Sequence, residues 1–169
     1  MINSAKIDAS RVLVEMSYDM SELVSIVSDR TVAVAATMVD EGGDHIEQMS
    51  ATMDNLWELH RYADEAWGEV TGMTRAYHHC VPTHCEGESV TEVYRIVLDM
   101  PKNWQQESSL PLDNGIRDYM VATMLRRWWL NKGNSDQAAV AQEQMDRAAR
   151  EIRYSLNTRS RYSRPTQWI

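Results

Sequence analysis

The sequence contains no phenylalanine, and its 169 residues include only seven glycines, four prolines and two cysteines. Two cysteines, Cys80 and Cys85, are too few for a disulfide framework. So few glycines make elaborate ligand-binding loops unexpected, and there is no Gly-rich phosphate loop, no Gly-x-Ser-x-Gly elbow and no His-Glu-x-x-His helix. These absences argue against the common enzyme classes. We therefore predict that the chain is not an enzyme and needs no cofactor.

Long hydrophobic runs are also missing. The longest apolar stretches, such as residues 32–39, are far shorter than a membrane span, and residues 1–8 lack the basic and apolar regions of a signal peptide. Hydrophobic residues at 43% and charged residues at 25% are typical of one ordinary globular domain. We expect a soluble protein, made in the cytoplasm, with no membrane partner.

Charge is distributed unevenly along the chain. Residues 1–146 carry 24 acidic and 11 basic side chains, a net charge of −13, whereas residues 147–169 carry six arginines and one glutamate, a net charge of +5. An acidic body argues against binding nucleic acid over a broad positive face. An acidic body with a basic tail favours head-to-tail docking between proteins.

Helical periodicity covers most of the chain and predicts a mainly α fold, a bundle of about four helices. A first helix is expected after Asp8 or Ser10, because the apolar residues Leu13, Met16, Met20, Leu23 and Val27 recur at spacings of three and four. A second helix is expected after Ser50 or Thr52. The second carries a continuous apolar stripe of Leu56, Leu59, Ala63, Ala66, Val70, Met73 and Tyr77. The C-terminal third predicts a helical hairpin over 114–131 and 136–157, capped by Asp113 at its start and turned by Gly133.

One β-strand interrupts the helical pattern near residues 93–100. Tyr94, Ile96, Leu98 and Met100 alternate with more polar residues, and Pro101 ends the run. A lone strand leaves half of its backbone groups unpaired, so it needs a partner. Either residues 31–39 or a neighbouring subunit is expected to supply that partner.

The only cluster with ligand chemistry lies in residues 78–90, which Pro82 and Gly87 predict to be a loop. His79, Cys80, His84 and Cys85 are residue types that zinc accepts. They are crowded into one short segment, whereas a tetrahedral site usually draws its ligands from two separated segments. The cluster is therefore interpreted as a polar loop without metal, with a zinc site and a thiol-based site as the alternatives.

The last eleven residues form a basic segment rich in binding residue types. Arginine and tryptophan are common anchors in protein interfaces, and a disordered tail seldom keeps several large aromatic and aliphatic residues. We predict a folded domain over 1–158 and an extended basic arm over 159–169 that lies across a neighbouring protein. The predicted contact residues of the arm are Arg159, Arg161, Tyr162, Arg164, Trp168 and Ile169.

The order of these features resembles a known group of proteins. The resemblance is carried by features in a fixed order along the chain. They are an N-terminal helix of the type Val12-Leu13-Val14-Glu15-Met16, Asp54-Asn55-Leu56-Trp57-Glu58-Leu59 opening the long helix, a strand from Tyr94 to Met100, Leu110-Pro111-Leu112 leading into Ile116-Arg117-Asp118-Tyr119-Met120-Val121, Trp128-Trp129, the Gly-Asn-Ser-Asp turn at 133–136, and Asn157-Thr158-Arg159-Ser160-Arg161. In these respects the chain is similar to small virion proteins of tailed phages and prophages of Bacteroidales, which are head–tail connector (neck or ring) proteins. The likeness extends from about residue 10 onward and is strongest over 110–164.

The resemblance implies a structural protein without an active site. It implies a homo-oligomeric ring of about twelve copies in the neck of the virion, between the portal protein and adjacent neck or tail proteins. DNA would pass through the channel without specific binding. Subunits are expected to meet through strand 93–100 and the end of the hairpin, at Tyr94, Ile96, Leu98, Trp128 and Trp129. A tail completion or tail terminator protein is the alternative virion role.

Overall fold

The computed structural model describes residues 2–8, 11–37, 49–80, 83–85 and 93–159, with the backbone alone for 2–8 and 83–85. Within this part of the chain, four α-helices pack with one small antiparallel sheet. The helices are α1 (Met20–Thr37), α2 (Leu56–Thr74), α3 (Ser109–Asn131) and α4 (Ser135–Asn157). The strands are β1 (Ile2–Asp8), β2 (Arg11–Asp19), β3 (Thr83–Cys85) and β4 (Val93–Pro101). The predicted fold class, a mainly α bundle of about four helices with a small β element, is confirmed.

The sheet has the order β1-β2-β4-β3, and every neighbouring pair is antiparallel. The predicted strand near 93–100 is confirmed as β4, but its partners lie in the same chain. One edge of β4 pairs with β2 along its whole length, and the other edge pairs with β3. Residues 31–37 belong to α1. Both expected sources of a partner strand, residues 31–39 and a neighbouring subunit, are therefore wrong.

The segment that becomes β2 was expected to lie within the first helix. Its buried residues are Val12, Val14, Met16 and Tyr18, a period of two, and Leu13 faces the other side of the sheet. The helical interpretation depended on Leu13 and Met16 at a spacing of three, which the alternation overrides once a partner strand is present. Helix α1 begins only at Met20. Similarly, the predicted loop over 78–90 contains the short strand β3.

The sheet packs on the helices through its inner face. Tyr94, Ile96, Leu98 and Met100 of β4 have no exposed surface. The ring of Trp67 from α2 lies between two sheet residues, with its centroid 5.4 Å from that of Tyr94 and 6.3 Å from that of Tyr18. Aromatic rings at these separations attract each other in addition to the area that they bury. This contact joins the sheet to the bundle.

Helix α3 is the centre of the bundle and packs against α4, α2 and α1. It begins at Ser109, earlier than predicted, and accommodates Pro111 in its first turn, where a missing backbone N–H costs little. Asp113 is therefore not the cap; it lies inside the helix and is only 6% exposed. The buried residues of α3 point in almost every direction, as its apolar sequence predicts.

The turn between α3 and α4 follows the prediction. Gly133 has a φ of +73°, a left-handed conformation that glycine adopts without steric cost. The side chain of Asn134 accepts a hydrogen bond from the backbone N–H of Gln137 at 3.1 Å and caps α4. No helix in the described residues has the length and apolar character that crossing a membrane requires.

Candidate interaction surfaces

The five residues predicted to contact a neighbouring subunit are buried within their own chain. Tyr94, Ile96, Leu98 and Trp128 are 0% exposed, and Trp129 is 2% exposed. The Trp128 indole Nε1–H donates a hydrogen bond to the Met49 carbonyl oxygen at 2.8 Å. The side chains belong to the core, so the prediction that they form a subunit interface is wrong. Apolar character alone does not distinguish a residue of the core from one of an interface.

The predicted C-terminal arm is described only at its first residue. The Arg159 guanidinium donates to the Leu156 carbonyl oxygen at 2.7 Å and lies 3.4 Å from the Tyr77 hydroxyl oxygen. Arg159 also forms an isolated β-bridge with Trp104. The side chain of Arg159 therefore lies against its own domain. The other predicted arm residues, Arg161, Tyr162, Arg164, Trp168 and Ile169, lie outside the described residues.

The His/Cys cluster is described in part. His79 and Cys80 are exposed, and His79 Nδ1 lies 3.8 Å from a carboxylate oxygen of Asp99. His84 and Cys85 lie in β3, where the side chains are not described. Within the described residues, no group of three or more His, Cys, Asp or Glu side chains has a geometry that could hold a metal ion. The zinc and thiol alternatives stay predictions.

Large apolar side chains that remain exposed lie at the two ends of the bundle. Across the described part of the chain they are Val32, Trp57, Leu110, Leu130, Val140 and Tyr154. Leu110 is in the first turn of α3 and Tyr154 in the last turn of α4, beside the sheet. The other four lie near the α3–α4 turn. We call these the sheet end and the turn end of the bundle.

Specific contacts hold the turn end together. The Trp128 hydrogen bond connects the end of α3 to the segment before α2, and the Ala51 backbone N–H donates to Thr31 Oγ1 of α1 at 2.9 Å. The Arg127 side chain of α3 forms an ion pair with Glu65 of α2 at 2.9 Å. The C-terminal part of α1, the start of α2 and the end of α3 therefore meet where α4 begins.

Trp57 is the most prominent feature of the turn end. It lies in the first turn of α2 and is 65% exposed. The Arg61 guanidinium carbon lies 5.5 Å from the centroid of its ring, which restrains the indole by a cation–π contact. Asp54 and Glu58 flank Trp57 in sequence, and neither forms an ion pair within the described residues. The result is an exposed indole with an acidic border.

A hollow of about 280 Å³ lies between α1 and α4 at the same end. Leu125 and Trp129 of α3 form its floor. Its walls are lined by Ala33, Val34, Val140 and Ala141, with Arg30, Gln137 and Gln144 at its border. It continues along α4 into an open groove of about 630 Å³, and Arg30 and Gln144 line both. The hollow is mainly apolar.

Two arginines give the border of this hollow a positive charge. Arg30 is exposed and lines the hollow; Arg147 is exposed and lines the adjoining groove. Neither forms an ion pair within the part of the chain that the structure describes. The groove also contains Asp118 and Glu151, but these lie farther from the hollow, on the side of the sheet end.

The hollow and Trp57 lie on different sides of α1. A smaller hollow of about 260 Å³ separates α1 from α2 and is lined by Val24 of α1 and Leu56 of α2. Val24 and Ala33 are nine residues apart, which is about two and a half helical turns, so they face opposite sides of α1. Helix α1 thus lies between α2, which carries Trp57, and the hollow beside α4.

The sequence analysis did not identify Trp57 as an exposed residue. A signal was available, because Trp57 stands between two acidic residues on the polar side of the helical pattern. The hollow had no such signal, since it is formed by three helices that are distant in sequence. Comparison with models of protein families, with curated proteins and with solved structures found no match.

Proposed function

We propose that this protein is a structural virion protein that forms a homo-oligomeric ring of about twelve copies, a head–tail connector that joins the portal to the tail. The observation that carries the proposal is the position of the exposed apolar residues at opposite ends of a bundle whose core is otherwise closed. One set faces the turn end and the other the sheet end. A connector needs separate contacts for its neighbours in the ring and for the components above and below.

The charge of the chain supports the same proposal. The body carries −13 over residues 1–146. An acidic wall repels the phosphate backbone, so DNA passes along it without being held. The arm over 159–169 begins at the sheet end, about 34 Å from the turn end if the 23 residues of α4 rise 1.5 Å each. It is therefore well placed to contact a component on one side of the ring.

Negative-stain microscopy and mass photometry of the purified protein test the proposal. We expect closed rings of uniform size, with a mass that is a whole multiple of 19.4 kDa. A protein that stays monomeric across the micromolar range, and that also stays monomeric in the presence of the purified portal, would contradict it.

The tail completion or terminator role predicts a different partner. A connector binds the portal before any tail is present, whereas a terminator binds the end of an assembled tail tube. Mixing the purified protein with isolated portal and, separately, with tail tubes distinguishes the two roles. Binding to the portal alone supports the connector, and binding to tubes alone supports the terminator.

A further inference from the structure

We propose that neighbouring copies in the ring contact each other through Trp57 of one copy and the hollow between α1 and α4 of the next. This inference rests on the proposed ring function and identifies the contact that builds the ring. The occupant of the hollow is thus a second copy of this chain. The argument depends on shape, charge and the relative placement of the two surfaces.

The two surfaces match in polarity and shape. The indole of Trp57 projects from α2, and its cation–π contact with Arg61 at 5.5 Å reduces the conformational entropy that docking would cost. The hollow has a floor of Leu125 and Trp129 and two mainly apolar walls. Burying a projecting aromatic side chain in an apolar depression of the partner is the usual arrangement of an interface hot spot.

The borders of the two surfaces carry opposite charges. Asp54 and Glu58 stand on either side of Trp57 in sequence and outnumber Arg61, whose guanidinium lies over the indole, whereas Arg30 and Arg147 stand beside the hollow. No ion pair involves any of these four within the described chain. Docking would bring the acidic border of one copy against the basic border of the next. Such complementarity favours the correct partner and the correct register.

The placement of the two surfaces favours a ring over a dimer. The hollow is lined by Arg30, Ala33 and Val34 of α1, whereas Leu56, next to Trp57, lies against the opposite side of α1 at Val24. Helix α1 therefore lies between the two surfaces. A contact between two different surfaces repeats from copy to copy, and it closes into a ring when the rotation allows. A two-fold dimer would instead need one surface that matches itself.

The first test is Trp57→Ala, measured by mass photometry over a concentration series. We expect the concentration at half-assembly to rise by about 30-fold or more, the loss typical of a hot-spot residue. The matched control is Tyr154→Ala, which removes an equally exposed aromatic residue at the sheet end and should leave ring formation unchanged. Because Trp57 is mostly exposed, its loss should not alter the melting temperature.

The second test is a reversal of charge. Asp54→Arg with Glu58→Arg should weaken assembly, as should Arg30→Glu with Arg147→Glu, because each places like charges across the contact. All four substitutions in one chain restore opposite charges and should restore the rings. Restoration would not follow if either pair acted by damaging the fold.

The results of these tests distinguish a failure of the proposed Trp57 contact from a failure of the proposed ring function. If the wild-type protein forms rings and Trp57→Ala forms them at the same concentration, the contact is refuted and the ring function stands. The same holds if the fourfold charge reversal fails to restore rings. If the wild-type protein forms no rings, either alone or with the purified portal, the proposed function fails together with the contact.

Discussion

Tyr18 places a hydroxyl group in the core, at the junction of β2 and the start of α3. It is 4% exposed, and its hydroxyl lies 3.4 Å from the Met16 sulfur and 3.5 Å from the Asp113 carbonyl oxygen. Burial raises the pKa of Tyr18 well above its ordinary value of 10.0, and the neighbouring charge of Asp113 raises it further. The folded protein therefore favours the neutral phenol.

This raised pKa predicts a loss of stability in alkali. In the unfolded chain Tyr18 loses its proton near pH 10, whereas in the fold it keeps the proton to a higher pH. Above about pH 10 the folded state thus binds more protons, and the free energy of unfolding falls as the pH rises. Urea unfolding between pH 8 and 11 should show this decline, and Tyr18→Phe should make it shallower. Tyr154→Phe, at a mostly exposed position, is the control; equal slopes for Tyr18→Phe and wild type would contradict the prediction.

At the scale of elements, the contact between α3 and α4 depends on a glycine. A Cβ atom added at Gly115 would lie 3.2 Å from Cγ1 of Ile152, which is fully buried. By contrast, a Cβ at Gly68 of α2 would meet no atom within 4 Å. The two glycines therefore occupy helices for different physical reasons. Only the first allows two helices to approach closely.

Replacing each of these two glycines by alanine gives two stabilities that can be compared directly. Gly68→Ala should raise the free energy of unfolding by about 1 kcal/mol, because alanine has the higher helix propensity. Gly115→Ala gains the same propensity but crowds Ile152, and overpacking costs about 1–3 kcal/mol. We expect Gly115→Ala to be less stable than Gly68→Ala by that amount in urea unfolding at equal protein concentration. Equal stability of the two variants would show that Ile152 moves aside without cost.

The elements differ in how much the sequence reveals of them. Helix α2, the α3–α4 hairpin and strand β4 have a long or regular pattern, and all were predicted. Strand β2 was not, because Leu13 and Met16 fit a helical period as well as a strand when no partner is known. The pairing of β2 with β4 joins residues that are far apart in sequence, and no local pattern encodes it. The prediction of a subunit interface at the buried residues was wrong for a similar reason. A tryptophan such as Trp128 suits a core and an interface equally well, and only tertiary packing decides in which of the two it lies.

At the scale of the whole molecule, the proposal assigns different partners to the two ends of the bundle. The proposed ring contact uses the turn end, whereas the arm starts at the sheet end, where Arg159 lies against Tyr77. Under this proposal, separate parts of the chain carry the contacts within the ring and the contacts between stacked components. They should be separable by mutation.

Removing residues 160–169 tests this separation. Because the truncated chain keeps Arg159 and its bonds to Leu156 and Tyr77, we expect an unchanged melting temperature and normal rings. Binding to the portal or to the adjoining component should be lost, measured by co-sedimentation with each partner. Trp57→Ala should show the opposite result, with rings lost. If the truncation abolishes the rings themselves, the arm belongs to the contact between neighbours.

The pairing of β2 with β4 also constrains how the protein is made. Arg11 lies opposite Pro101 and Asp19 opposite Val93, so β2 leaves the ribosome long before its partner has been synthesised. Until then only the edge of β2 that faces β1 has a native strand to pair with, and the other edge stays open. Contacts between such distant residues form slowly. Nascent chains that stall between these two strands would therefore be the ones that need a chaperone.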